Sequence, residues 1–142
     1  MSDQHLLTSM DFAKAFAHLG RRRLERVLVV GTDNEGNVLG AWESSSGTSK
    51  QVAVCPLDTL QACTPGVTRV CVMHNHPSKN TTPSEGDVKF TKCVAAMYHK
   101  VGIHMVDHLI IGHGGAFFSF KEATHAGLSG ACTVHYLDKE KA

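Results

Sequence analysis

The sequence is short of several things that would settle its class quickly. It has almost no charge imbalance: 14 Lys and Arg against 13 Asp and Glu leave a formal net charge of +1 over 142 residues. No global field therefore draws the chain toward nucleic acid or a membrane surface. No run reaches the ~18 apolar residues that a bilayer-spanning helix needs. The opening residues, MSDQHLLTSMDF, hold no basic segment followed by an apolar core, so the expectation is a cytoplasmic chain without an export signal. No two of the cysteines (Cys55, Cys63, Cys71, Cys93, Cys132) form a C-x-x-C pair. Odd in number and widely spaced, they read as reduced thiols, several of them simply buried, and they argue against a cysteine-built zinc site. Internal repeats and low-complexity tracts are missing too.

What remains is an ordinary globular composition, 42% apolar and 19% charged, long enough for one domain with a real core. The domain is expected over residues 1–128, with 129–142 a tail of no clear period. TSMDFAKAFAHLG reads as an amphipathic helix with Ser9 as N-cap and Gly20 as its stop. RVLVV (Arg26 to Val30) and VLGAWE pair as a hairpin across GTDNEGN, and QVAVC is read as a third strand. PLDTLQAC suits a short helix. VTRVCVM is a central strand, the stripe Phe90, Val94, Met97, Tyr98, Val101 marks a helix closed by Gly102, and HMVDHLIIG and AFFSF form a last hairpin. The basic stretch RRRLER (Arg21 to Arg26) has two readings, a solvated helix end or a phosphate-contacting patch. The polar loop Ser44 to Lys50 likewise reads either as a mobile flap or as inert surface.

The chemistry concentrates in MHNHPSKNTTPSEGD, Met73 to Asp87. Strand side chains alternate faces, so His74 and His76 point to one side at the end of the central strand and Asn75 to the other. Two imidazoles so placed suit one metal ion, and catalytic zinc sites commonly use three protein ligands. Asp87, in the first turn of the next helix, is the third ligand. A plainer reading stands beside this one. Ser84 and Asp87 also form an S-x-x-D capping box, and that box alone would explain both. The two readings are compatible, because a helix-starting side chain can still face an ion. The other histidines (His5, His18, His99, His104, His113, His125, His135) have no partner at ligand spacing.

His74-x-His76, seven residues, then Ser84-x-x-Asp87 resembles the metal-binding signature of the JAB1/MPN/Mov34 metalloproteases, the JAMM motif. With VDHLIIG downstream and GTSKQVAVCP upstream, the wording is most similar to the bacterial RadC-type branch, over roughly Glu25 to Phe120. The resemblance implies an α/β (α+β) fold of the JAB/MPN, cytidine-deaminase-like type, a mixed sheet flanked by helices. It implies Zn2+ held by His74, His76 and Asp87, a glutamate acting as general base, and Ser84 binding the oxyanion. Glu25 is the glutamate at the expected separation, with Glu43 in reserve; Glu35 falls in an exposed turn. The implied reaction is hydrolysis of a peptide or isopeptide amide, with a peptide or protein substrate and a ubiquitin-like tail as a sub-case.

Two other functions compete. A DNA repair or recombination role follows from the RadC-type likeness, but only about twenty residues precede the first strand, too few for a helix-hairpin-helix module, and the near-neutral charge offers phosphate little. An inactive scaffold is the other. A zinc deaminase is excluded, since no His-x-Glu is paired with Pro-Cys-x-x-Cys. Asp107 and His108 also match the RadC-type pattern. They are read either as a pair orienting a metal-bound histidine or as a buried, internally bonded pair.

Overall fold

The structure, a computed structural model, describes residues 5–44, 54–77 and 80–125. Its frame is a mixed five-stranded sheet. β1 (Val27–Thr32), β2 (Val38–Glu43), β3 (Arg69–Asn75), β4 (His104–Ile111) and β5 (Phe117–Ser119) lie in the order β2-β1-β3-β4-β5. Only β3 and β4 run parallel. A parallel pair needs a crossover, and α2 (Glu85–Lys100) supplies it. The strands VLVVGT, RVCVMHN and HMVDHLII are almost continuously buried because helices cover both faces.

On one face Val27, Val29, Val70, Val72 and Met105 pack against Val94, Ala95 and Tyr98 of α2. On the other, Val30, Cys71, Met73, Val106, Leu109 and Ile111 pack against Phe12 and Leu19. Phe12 belongs to α1 (Ser9–Ala15) and Leu19 to a following 3-10 turn, Ala17–Arg21. Burying a side chain such as Phe12 contributes roughly 1.5–3 kcal/mol, so these two layers hold the sheet rigid beneath the site. Among the described residues no helix is long and apolar enough to cross a membrane.

Several expectations need correction. The N-cap of α1 is Thr8, not Ser9: Thr8 and Asp11 form a full capping box, which frees the Ser9 hydroxyl for other use. Gly20 does not stop the helix. A Cβ there would stand 1.8 Å from the carbonyl oxygen of Gly112, so glycine is what lets the 3-10 turn lie against the end of β4. Of the expected strand Gln51–Cys55, residues 51–53 lie outside the described ones, while Val54 and Cys55 pair with no strand. Cys55 instead caps a 3-10 helix, Pro56–Ala62, whose first position suits proline because no N–H is needed there. Phe120 leaves the last hairpin to begin an unforeseen helix, α3 (Phe120–His125). Of the four described cysteines only Cys71 is fully buried; Cys132 and the 129–142 tail lie outside the described residues. Apart from Ser44, so does the 44–50 loop.

Candidate metal centre

Strand geometry delivers the two histidines. β3 ends at Asn75, and the His76 N–H still donates to the Ile111 carbonyl, 3.1 Å away, so the chain keeps its direction through both imidazoles. His74 and His76 emerge on the α2 face of the sheet. The chain then turns through Pro77 and returns at Pro83 to start α2. Ser84 is the N-cap: its Oγ accepts from the Asp87 N–H at 3.1 Å, while its own N–H donates to Asp87 Oδ2 at 2.9 Å. The capping box is therefore real, and it also aims the Asp87 carboxylate at the histidines.

The structure brings the three together. His74 Nε2 lies 3.2 Å from Asp87 Oδ1, and His76 Nε2 lies 3.1 Å from Asp87 Oδ2. One ligand atom from each of the three residues falls within 4.8 Å of the other two, a spacing that modest side-chain rotation closes onto one ion. His76 Nδ1 is 3.1 Å from the Asn80 carbonyl, which can only accept, so Nδ1 carries a proton and Nε2, 3.1 Å from Asp87 Oδ2, is the nitrogen that faces the site. Among the described residues His74 Nε2 is the one buried side-chain nitrogen or oxygen without a hydrogen bond. Leaving such an atom unmatched costs about 1–3 kcal/mol, and a cation held by the two imidazoles and the carboxylate would supply the partner it lacks. The donor set fits a divalent metal of zinc type.

The charges agree with this. Burial alone would raise the Asp87 carboxyl, but the adjoining His74 and His76 outweigh it and hold Asp87 well below the usual carboxylate range. The Asp87 hydrogen bond in turn raises His76 above its ordinary value. Five further histidines, His5, His18, His99, His104 and His113, join no metal-ligating group among the described residues.

Glu25 precedes β1. Val27 pairs with His74 in the antiparallel β1–β3 register, so two more residues along the same line set Glu25 across from His76, on the same face. Only 9% of Glu25 is exposed. Burial raises its carboxyl to about 6, with His76 pulling it down and Asp87 pushing it up, so Glu25 feels both. Asn75 fixes the segment that carries it. Its Oδ1 accepts from the Arg26 N–H at 2.8 Å, and its Nδ2 donates to the carbonyls of Arg22, at 3.2 Å, and Leu24, at 3.0 Å. Glu43 is engaged elsewhere, by Arg22 and by Arg26 at 2.8 Å. Those contacts overcome the burial that would raise it, and its carboxyl is lowered. Two arginines of the basic stretch thus share one carboxylate within the chain.

Asp107 and His108 divide the two readings between them. Val70 pairs with Met105 and Cys71 with Asp107, so Val106 is an extra residue, a bulge in β4. The bulge turns Asp107 to the α1 side, where it is fully buried and accepts from Ser9 Oγ (2.6 Å), Ser119 Oγ (2.5 Å), and the N–H groups of Lys121 (3.0 Å) and His108 (2.7 Å). Burial still raises its carboxyl to about 6 against those hydrogen bonds. The same bulge turns His108 to the α2 side, where His108 Nε2 lies 2.8 Å from His74 Nδ1. Burial holds His108 well below the ordinary histidine value, hence neutral. The sequence pattern flagged this pair but could not aim either member.

A family profile described as RadC-like JAB domain matches residues 6–126. The chain belongs to that family. A UPF0758 protein of Streptococcus uberis is 33% identical over 119 residues, 82% of this chain and 52% of its own. A UPF0758 protein of Actinobacillus pleuropneumoniae serotype 5b is 36% identical over 107 residues, 75% of this chain and 48% of its own. This RadC-like JAB domain therefore spans about half the length of the curated relatives it matches. The family match covers all of the residues gathered at the site, from Glu25 to His108.

Proposed function

We propose that this RadC-like JAB domain is a zinc-dependent peptidase of the JAMM type, hydrolysing a peptide or isopeptide amide with water as the nucleophile. The observation that carries the reading is the bare, buried Nε2 of His74 facing the Nε2 of His76 and the Asp87 carboxylate, with Glu25, its carboxyl raised by burial, near them. His74, His76 and Asp87 hold the ion. A bound Zn2+ supplies water activation near neutral pH and polarisation of a carbonyl. Glu25 takes the proton of the attacking water and passes one to the leaving amine, a role worth about 10²–10⁴ in rate. Its raised pKa suits both directions of transfer. Ser84 accepts the Asp87 N–H through its oxygen lone pair, so its hydroxyl proton is available for the oxyanion. No covalent intermediate is needed, and the cysteines stay out of the reaction.

The substrate class is a peptide or protein tail, with ubiquitin-like tails as one case. A DNA-associated role draws less support, because Arg22 and Arg26 already face Glu43. The test is hydrolysis of a peptide and isopeptide panel by metal-loaded wild type, His76→Ala and Glu25→Gln. Cleavage lost in both variants upholds the proposal. Metal-loaded protein inert on every substrate, with equimolar zinc bound, points to the inactive-scaffold reading.

A further inference from the structure

Three short contacts join His74 to the start of α2 through groups that the proposed chemistry does not use. His74 Nδ1 lies 2.8 Å from His108 Nε2, His108 Nδ1 lies 2.5 Å from Thr91 Oγ1, and Thr91 Oγ1 lies 2.7 Å from the Asp87 carbonyl. His74 is 4% exposed, Thr91 1% and His108 not at all, so no solvent enters the chain. Each contact is too short to exist without a proton in it. The direction of every proton then follows from the last acceptor. A carbonyl has none to give, so the Thr91 hydroxyl donates to Asp87 and must accept from His108 Nδ1–H. A neutral His108 with its proton on Nδ1 has a lone pair on Nε2, and it accepts from His74 Nδ1–H. In the neutral imidazole that binds a metal, the His74 lone pair then lies on Nε2, the atom that faces Asp87 and His76.

We propose that Thr91 and His108 are positioning residues that fix the tautomer of His74, so that Nε2 is presented to the metal site before any ion arrives. The inference rests on the metal-site reading given above. It assigns a task to a hydroxyl on the second turn of the very helix whose N-terminus carries Asp87. Thr91 thereby ties the orientation of one ligand to the backbone of another. Metal-bound histidines commonly fix their second nitrogen on a carboxylate or carbonyl directly. Here two residues intervene, and the order of protons depends on one hydroxyl group.

The test uses the purified chain in two measurements. In metal-free protein, long-range nitrogen–proton spectra of the imidazoles should show protons on Nδ1 of both His74 and His108, with His108 Nε2 bare. In Thr91→Val, which keeps the shape and removes the hydroxyl, the His108 proton should move to Nε2. Zinc affinity, read by competition with a chromophoric chelator, should fall about 10–100-fold. Thr91→Ser should restore both, which a packing role for the methyl group would not predict. A proton on His108 Nε2 in wild type, or Thr91→Val with unchanged tautomers and unchanged zinc affinity, would overturn the proposal. The failures are separable. Wild type that shows the expected tautomers but takes up no zinc sinks the peptidase reading and upholds the proton order. Zinc-binding wild type with His108 protonated at Nε2 sinks the proton order and leaves the metal site standing.

Discussion

Val27 and His74 face each other across β1 and β3, and the register they set, continued two residues outward, brings Glu25 opposite His76. Position rather than proximity in sequence thus favours Glu25 over Glu43 as the proposed base, since Glu43 is turned toward Arg22 and Arg26. Glu25→Gln is expected to lower peptide hydrolysis by about 10²–10⁴ while leaving zinc content unchanged. Glu43→Gln should alter the rate no more than a few-fold, because it removes only solvent-facing ion pairs worth about 0.2–1 kcal/mol each. Steady-state kinetics on metal-loaded protein decides it: the opposite ranking would transfer the role to Glu43.

The raised carboxyl of Glu25 sets a pH limit. A general base must be ionised to accept a proton, and burial has lifted this group to about 6. Activity should therefore be retained above that value and decline as pH falls through it. A bound cation nearby favours the carboxylate, so the acid limb of kcat/KM belongs at about 6 or lower in metal-loaded enzyme. An acid limb well above 6 would mean that some other group carries the proton.

Zinc should stabilise the fold. A ligand that binds only the native state adds about 2.7 kcal/mol at a free concentration one hundred times its dissociation constant. Thermal unfolding of chelator-treated protein should shift upward on adding Zn2+, with the shift growing as zinc is raised. His76→Ala should abolish that response and leave the metal-free midpoint nearly unchanged, since His76 is only partly buried. A variant that still responds like wild type would remove His76 from the ligand set.

Asn75 lies on the far side of β3 from the histidines yet reaches Glu25 through the chain that carries it. Its side chain bonds Arg26, Arg22 and Leu24, which bracket Glu25 on both sides. Asn75→Ala removes three part-buried hydrogen bonds at about 1 kcal/mol each, so a loss of roughly 2–4 kcal/mol is expected. Zinc binding should survive, because His74, His76 and Asp87 are anchored elsewhere. Activity should drop beyond what the unfolded fraction explains. Full activity in the folded variant would show that Glu25 needs no such support.

Much of this was legible in the sequence, and the illegible parts have identifiable causes. Alternation along VTRVCVMHNH put His74 and His76 on one side, and Ser84 with Asp87 announced the helix start that completes the group. The bulge at Val106 was not legible: HMVDHLII reads as an unbroken strand, and only pairing with β3 reveals the extra residue that parts Asp107 from His108. Thr8 and Ser9 both suit a helix start, and the choice fell to Thr8 because Ser9 is drawn to Asp107, 98 residues later in the chain. QVAVC failed as a strand where it is described, since Pro56 commits Cys55 to the entry of a 3-10 helix. Thr91 sat unmarked inside an ordinary helical stripe; nothing local distinguishes it from any threonine facing a core.

Ser84 caps α2, and the second job proposed for it can be separated from the first by one substitution. Its oxygen caps α2, and its hydroxyl proton is assigned to the oxyanion. Replacing a serine N-cap by alanine costs about 0.5–2 kcal/mol, whereas glycine at the same position costs only a few tenths. Loss of one oxyanion donor costs about 3 kcal/mol of transition-state binding, near a hundred-fold in rate. Ser84→Gly should therefore melt within a degree or two of wild type, bind zinc as well, and cleave about a hundred times more slowly with KM little changed. Ser84→Ala should show the same rate loss with a clear drop in stability. If Ser84→Gly cleaves at the wild-type rate, the serine serves the helix alone and the oxyanion must be held by another group.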